Sequence, residues 1–168
     1  MSSVERIVPP WLRRLAFATA LATLGLIAIG GLVTSKGAGM AVPDWPTSYG
    51  YGMFFLPIRL WTGGALYEHT HRLWASGVGF LTTVLAFWLY GRKSRPLLRV
   101  VAAVMILGGL VTLATSIPNK FQHATTALVP GALGLVASFF WPACDAAPRW
   151  LRRLGLAAFV AVCVQGLL

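Results

Sequence analysis

Five consecutive residues, Glu68-His69-Thr70-His71-Arg72, set four ionisable side chains into an otherwise apolar stretch, and a third histidine stands alone at His123. Charged or titratable groups within apolar spans are costly and tend to be functional. On a helix, Glu68 and His71 are three apart and share a face, while Glu68 and Arg72, four apart, are spaced to pair. His69 and His71 point nearly half a turn from each other, so both cannot aim at one point from a regular helix. The chemistry these types suit is axial metal ligation by His71, with Glu68 beside it and Arg72 neutralising a carboxylate. Two imidazoles on facing helices, His71 and His123, are the arrangement for a six-coordinate haem. A zinc site needs a third or fourth ligand, and only Glu68 and His69 stand at comparable depth. The plainer alternative is a polar collar at a membrane interface with a structural His123; His69 is given no role.

The elements that must position these groups follow from composition. Of 168 residues, 57% are apolar and only 11% charged, with a mean hydropathy of +0.73. A soluble domain is roughly 25% charged, so this chain cannot coat a water-facing globule. A soluble enzyme, a nucleic-acid-binding domain and a disordered chain are excluded. Runs long enough to cross a hydrocarbon core of about 30 Å are predicted near Leu15–Thr34, Leu73–Tyr90, Val100–Ile117 and Ala124–Ala143, and Leu154–Leu168 begins a fifth. The expected fold is all-α: a polytopic membrane four-helix bundle over 15–143, preceded by a cytoplasmic segment 1–14. A cytoplasmic loop and an incomplete fifth helix, the possible start of a truncated second bundle, cover 144–168. The first span is too long for a cleaved signal peptide and leads to Gly30-Gly31-Leu32 in place of a cleavage site. Cys144 and Cys163 are too few and too apolar in setting for a disulfide scaffold or a zinc site.

Topology follows from the bases. Arg6, Arg13, Arg14, Arg92, Lys93, Arg95, Arg99, Arg149, Arg152 and Arg153 fall on one side, against Lys36, Arg59 and Lys120 on the other, with Arg72 at a membrane edge. The positive-inside rule therefore predicts a cytoplasmic N-terminus, and the net charge of +10 is mostly a topology signal. His71 and His123 then lie at similar depth, since both their helices start from the outer side. The outer loop Ser35–Tyr67 is far longer than an ordinary helix connection. It carries Trp45, Tyr49, Tyr51, Phe54, Phe55, Trp61 and Tyr67, and its prolines and glycines forbid a long regular helix. It is expected to fold as a cap on the membrane surface, the alternative being an aromatic belt without chemistry. Gly30-Gly31, Gly77-x-Gly79 and Gly108-Gly109 are candidates for close approach of helix backbones or of a flat macrocycle. Trp11-Leu12-Arg13-Arg14-Leu15 recurs as Trp150-Leu151-Arg152-Arg153-Leu154, a weak internal repeat.

Three stretches in order carry a family likeness: Gly30-Gly31-Leu32-Val33-Thr34; Gly37-x-Gly39-Met40-x-Val42-Pro43-Asp44-Trp45-Pro46; and Glu68-His69-Thr70-His71-Arg72. Together they resemble the haem A synthase family of cytochrome oxidase assembly, most closely over residues 11–90 and more loosely over 95–142. The resemblance implies eight transmembrane helices in two similar bundles, of which this chain holds the N-terminal one. It implies oxidation of the C8 methyl of haem O to a formyl, giving haem A, with water as oxygen source. By motif, His71 and His123 would be the axial ligands of the haem iron, and Glu68 and Arg72 the catalytic pair: a carboxylate to accept a proton or stabilise a developing cation, beside a cation. Haem b is expected only in a second bundle. Implied partners are haem O, the lipid bilayer, haem O synthase, an electron carrier and oxidase assembly factors, in a bacterial-type cell membrane, with no nucleic acid. The chain departs from the family pattern in lacking a cysteine pair in the outer loop, Val42 standing where one often sits, and in lacking the second bundle. Residues 148–168 can also be read as the family's third helix, which would make 95–142 an insertion and His123 unrelated. Two readings of other classes stand beside the enzyme: a bis-histidine b-type membrane cytochrome, and a non-catalytic truncated membrane module.

Overall fold

In the computed structural model, residues 8–141 and 147–165 are described; Arg6 and Cys144, both considered above, lie outside them. The chain is mostly helical. Helix α1 spans Pro10–Ser35, α2 Gly63–Tyr90, α3 Arg95–Ala114, α4 Lys120–Phe140 and α5 Arg149–Gln165. Between α1 and α2 lie a small hairpin, β1 (Thr47–Ser48) and β2 (Tyr51–Gly52), and two single 3-10 turns. A third 3-10 turn, Gly91–Ser94, joins α2 to α3.

Each helix boundary has a local cause. Pro10 occupies the first position of α1, where its missing N–H costs nothing, and the Pro9 carbonyl accepts from the backbone N–H of Leu12 and Arg13. At the other end Gly37, at φ +61, closes the helix: its N–H bonds to Thr34 O and that of Ala38 to Val33 O, which satisfies carbonyls that would otherwise be orphaned. Helix α2 begins ten residues earlier than the sequence pattern predicts. Gly63 takes a left-handed φ of +54, and a Cβ on Gly64 would stand 2.8 Å from the Ala41 side chain. The two glycines thus start the helix against the loop, and the Glu68–Arg72 cluster falls inside α2, not at its mouth. Helix α3 likewise starts early, with Pro96 tolerated in its first turn. Left-handed Asn119 (φ 54) precedes α4, which runs from Lys120 to Phe140.

Among the described residues, three helical stretches are long and apolar enough to cross a membrane: Pro10–Ser35, Gly63–Ala114, which holds α2 and α3, and Lys120–Phe140. At the α-helical rise the first is about 39 Å long and the last about 31 Å, matching a hydrocarbon core of about 30 Å. Their burial pattern is the inverse of a soluble protein's. Phe17, Leu21 and Leu24 on α1, Val100, Val104, Leu107 and Val111 on α3, and Val129, Leu133, Val136 and Phe140 on α4 all face outward. These are the i, i+4, i+7 rows a soluble helix turns inward. Pro130, inside α4, is also on the outside.

The chain divides into two compact units. The first takes Met1–Ala28, Trp74–Ser94 and Trp141–Leu168. Its core is Val8, Leu12, Leu89 and Ala147, with Leu15, Leu85, Trp88 and Leu151 around them. Trp88 meets Trp11 edge-on at 4.3 Å and Trp141 at 5.1 Å. Helix α5 closes on α2 through Gly155, where a Cβ would come within 2.7 Å of Leu89.

The second unit takes Ile29–Leu73 and Arg95–Phe140. Here α3 and α4 pack through small residues: Ala102, Gly109, Ala124, Gly131 and Ser138 are all buried. A Cβ on Gly109 would stand 2.6 Å from Leu128 Cγ and 3.1 Å from Ala124 O, and one on Gly131 would stand 3.1 Å from Ala102 O. Of the glycines singled out in the sequence, Gly109 and Gly30 are in close contact, while Gly31, Gly77 and Gly108 face open space. Gly108 and Gly109 therefore give a controlled comparison. Gly109→Ala is expected to lower stability by about 1–3 kcal/mol through overpacking. Gly108→Ala, with nothing within 4 Å, is expected to be neutral or slightly stabilising. Thermal unfolding of both variants in one detergent checks this, and equal effects would contradict it.

Candidate functional site

The second unit contains Glu68, His69, His71, Arg72 and His123 together with the loop between α1 and α2. The loop is organised by Asp44. Its Oδ1 accepts from Tyr49 N at 2.6 Å, and its Oδ2 accepts from Gly50 N at 2.8 Å and from the Thr47 hydroxyl. Tyr49 (φ 52) and Gly50 (φ 74) are the two left-handed residues of the hairpin turn, the conformation that makes a two-residue turn match strand twist. The turn's N–H groups point back at the carboxylate. Partial burial raises the Asp44 pKa, but the hydrogen bonds from Gly50, Thr47 and Tyr49 outweigh it, so the group titrates below its ordinary 3.8.

Arg72 then fastens this loop to α2. Its Nη1 donates to the carbonyls of Asp44 (2.6 Å) and Thr47 (3.1 Å), and its Nη2 to Val42 O (2.8 Å). The same Nη2 donates to Glu68 Oε1 at 2.6 Å, the i, i+4 pair the sequence spacing allows. Glu68 Oε2 accepts from Val42 N at 2.7 Å. Both backbone polar groups of buried Val42 are thus satisfied by one ion pair on one helix, as buried polar groups require. Glu68 is 6% exposed, and both its oxygens are engaged.

His69 faces the loop. It is fully buried, Nδ1 lies 3.3 Å from the buried Ser48 hydroxyl, and its ring meets Trp61 edge-on at 4.7 Å. Its Nε2 is buried without a hydrogen-bond partner. The hairpin is held from its other side by α4: Asn119 Nδ2 donates to Gly50 O at 3.0 Å, and Gln122 Oε1 accepts from Gly52 N at 3.2 Å.

His71 lies elsewhere on the helix, against α1. A Cβ on Gly30 would stand 3.1 Å from His71 Cε1, with Nδ1 and Nε2 the next nearest atoms. Its Nδ1 is buried and has no hydrogen-bond partner. An imidazole that ligates haem iron needs a ring nitrogen free of other bonds and room beside the ring. His71 offers an unpartnered nitrogen, which is compatible with that group, and the missing side chain at Gly30 makes room for the imidazole itself. His123, half-buried on α4, follows directly on Gln122. No hydrogen bond or ring contact joins it to His71 among the described residues. Nor do the described residues include any cluster of three or more His, Cys, Asp or Glu able to hold a metal ion.

The structure therefore joins Glu68 to Arg72 and gives both a loop to hold, and it separates His69 from His71 as helix geometry requires. Sequence reasoning did not single out Ser48, Asn119 or Gln122, nor give Asp44 a role of its own. For Asp44 the signal was only that Asp, Thr and Gly cluster at a turn; which N–H groups the carboxylate accepts from, five and six residues on, was not marked. For Asn119 and Gln122, partners some 70 residues away in sequence, there was none. No known protein family, curated protein or solved structure matches the chain.

Two outcomes follow from the clamp. Arg72→Met leaves Glu68 charged and buried without its ion-pair partner, and frees three carbonyls. It is expected to cost about 3–5 kcal/mol and to expose 36–62 to limited proteolysis, whereas unchanged protection would contradict the clamp. Because the Asp44 pKa is depressed on folding, its contribution is complete above the unfolded value of 3.8 and is lost as pH falls through the lower folded value. Protease resistance of the loop is therefore expected to be constant from neutral pH down to about pH 4 and to fall below it. Asp44→Asn should be less resistant at neutral pH and should flatten that dependence.

Proposed function

We propose that this chain is a haem-handling membrane protein of the haem A synthase type. In this reading it is a helical bundle spanning a bacterial-type cell membrane with a cytoplasmic N-terminus, and haem O is its substrate. The observation that carries the reading is His71: a histidine inside an apolar helix, with a buried, unpartnered Nδ1, packed where α1 has glycine. Leaving a ring nitrogen unsatisfied is costly, and ligation removes that cost. His71 and His123 would hold the iron from α2 and α4. Haem bound by two imidazoles supplies one-electron chemistry at a potential set by its ligands and surroundings.

The rest is the work of the chain's own residues. Glu68 stands one turn before His71 on the same helix face, suited to take a proton from the C8 methyl carbon as that group is oxidised. Arg72 fixes the Glu68 carboxylate and, through Val42, Asp44 and Thr47, holds the loop as a cap over this end of the unit; one water supplies the formyl oxygen, and four protons and four electrons leave. An electron carrier must accept what the oxidation releases. Haem O synthase and oxidase assembly factors are the expected neighbours.

One observation favours a second reading. Both oxygens of Glu68 are already engaged, one by an arginine and one by a backbone N–H, which suits a structural carboxylate. A b-type cytochrome that binds haem through His71 and His123 and only transfers electrons needs no more than that. Pigment extraction after expression with a haem O supply distinguishes the two. Haem A is expected under the first reading, and unchanged haem O on a haem-loaded protein under the second. His71→Ala is expected to abolish low-spin haem under both, and an unchanged spectrum would remove His71 as ligand. Glu68→Gln is expected to retain haem and lose conversion; equal loss of both would assign Glu68 to the loop clamp alone.

A further inference from the structure

The two histidines proposed above as ligands each stand beside a residue that grips the same hairpin. Arg72, directly after His71 on α2, donates from Nη1 to the Thr47 carbonyl of β1 at 3.1 Å. Gln122, directly before His123 on α4, accepts through Oε1 from the Gly52 N–H of β2 at 3.2 Å. Thr47 and Gly52 are partners across the antiparallel pair. A single rung of the hairpin therefore joins α2 to α4, at the residues next to the two imidazoles. The α4 end of this link is fixed locally. Asn119, left-handed at φ 54, precedes the helix, and its Nδ2 donates to Gly50 O at 3.0 Å. The Asn119 carbonyl in turn accepts from the backbone N–H of Gln122 at 2.9 Å and of His123 at 3.3 Å. The first turn of α4, with His123 in it, is thus tied to the hairpin through both Asn119 and Gln122. The approach is close: a Cβ on Gly52 would stand 3.3 Å from Gln122 Cβ and 3.5 Å from its carbonyl carbon. Gly52 has φ -58 and ψ 137, a conformation open to any residue. Glycine there serves the contact with α4 and not the backbone.

We infer that Gln122, with Asn119 behind it, is a positioning residue for His123, and that the hairpin is a bracket setting the start of α4 relative to His71. The inference rests on the reading of His71 and His123 as ligands and adds to it the residues that hold them in register. Two axial ligands must meet one iron from two helices, and such constellations need support from residues that do not themselves touch the ligand. The bracket supplies that support through backbone. Arg72 holds a carbonyl of one strand, Gln122 holds an N–H of the other, and the strand pairing carries the position across. A role confined to closing the edge of β2 would leave the surroundings of the iron unchanged, which makes the two roles separable.

The test uses the full chain in detergent and two readouts. Gln122→Met keeps the length of the side chain but removes the acceptor, Gln122→Glu keeps the acceptor, and Gly52→Ala crowds the contact without removing a hydrogen bond. Circular dichroism confirms the helical content of each. In the first readout, ferric haem is added and the ratio of low-spin to high-spin signal is measured by electron paramagnetic resonance. Gln122→Met is expected to retain haem through His71 while that ratio falls about fivefold, the scale of one hydrogen bond. Gly52→Ala should move it the same way, and Gln122→Glu should restore most of it. In the second, spin labels at Leu66→Cys on α2 and Val129→Cys on α4, both exposed, report the distance between the helices without haem. Cys144 and Cys163 are replaced by Ser in this background. The distance distribution is expected to widen in Gln122→Met and to narrow again in Gln122→Glu. Low-spin wild type with variants that match it in both readouts would overturn the positioning role and leave the haem reading standing. Distances that respond while the spin ratio does not would overturn it too, assigning Gln122 to the hairpin alone. Wild type without low-spin haem would remove the haem reading, and the positioning role with it.

Discussion

The loop between α1 and α2 depends on one buried ion pair. Arg72 and Glu68 sit a helical turn apart on α2, and between them they satisfy the N–H and C=O of Val42 and the carbonyls of Asp44 and Thr47. A loop rich in proline, glycine and aromatic residues has few backbone hydrogen bonds of its own. Near a membrane, where water does not supply the remainder, those groups must be met by side chains. The hairpin is the second tier of the same arrangement: Asp44 closes its turn, Asn119 and Gln122 of α4 hold its far side, and Ser48 reaches down to His69. The polar residues in this otherwise apolar unit are concentrated where backbone lacks regular partners.

Packing between the helices relies on small residues. In an apolar solvent burying leucine gains little, so association rests on close contact. Gly109 and Gly131 bring α3 and α4 backbones within reach of each other's carbonyls, and Gly155 makes room on α5 for the Leu89 side chain of α2. Large apolar residues are left on the outside, the reverse of the arrangement in a soluble domain. Gly30 follows the same rule with a different neighbour, an imidazole in place of a backbone.

Much of this was legible in the sequence. Apolar run length located the helices, because hydrocarbon thickness constrains length strongly, and the i, i+4 spacing of Glu68 and Arg72 gave their pairing. The start of α2 was misjudged because Gly63-Gly64 reads as a break. Only the contact of Gly64 with Ala41 shows why the helix begins there. The double duty of Arg72 was not legible either, since its partners are backbone carbonyls that leave no mark on residue type. The same holds for His69 and Ser48: two polar residues 21 apart in the chain meet only once the hairpin is folded. Gly31, Gly77 and Gly108 look like Gly30 and Gly109 in sequence, but only the folded chain separates open from crowded positions.

The central claim is that an unpartnered imidazole inside this bundle is a haem ligand. Electron paramagnetic resonance of the purified wild-type chain, loaded with one equivalent of ferric haem, tests it most directly. Two imidazoles on the iron are expected to give a low-spin ferric signal at stoichiometric occupancy. A high-spin signal, or haem that elutes free of the protein, would contradict the account.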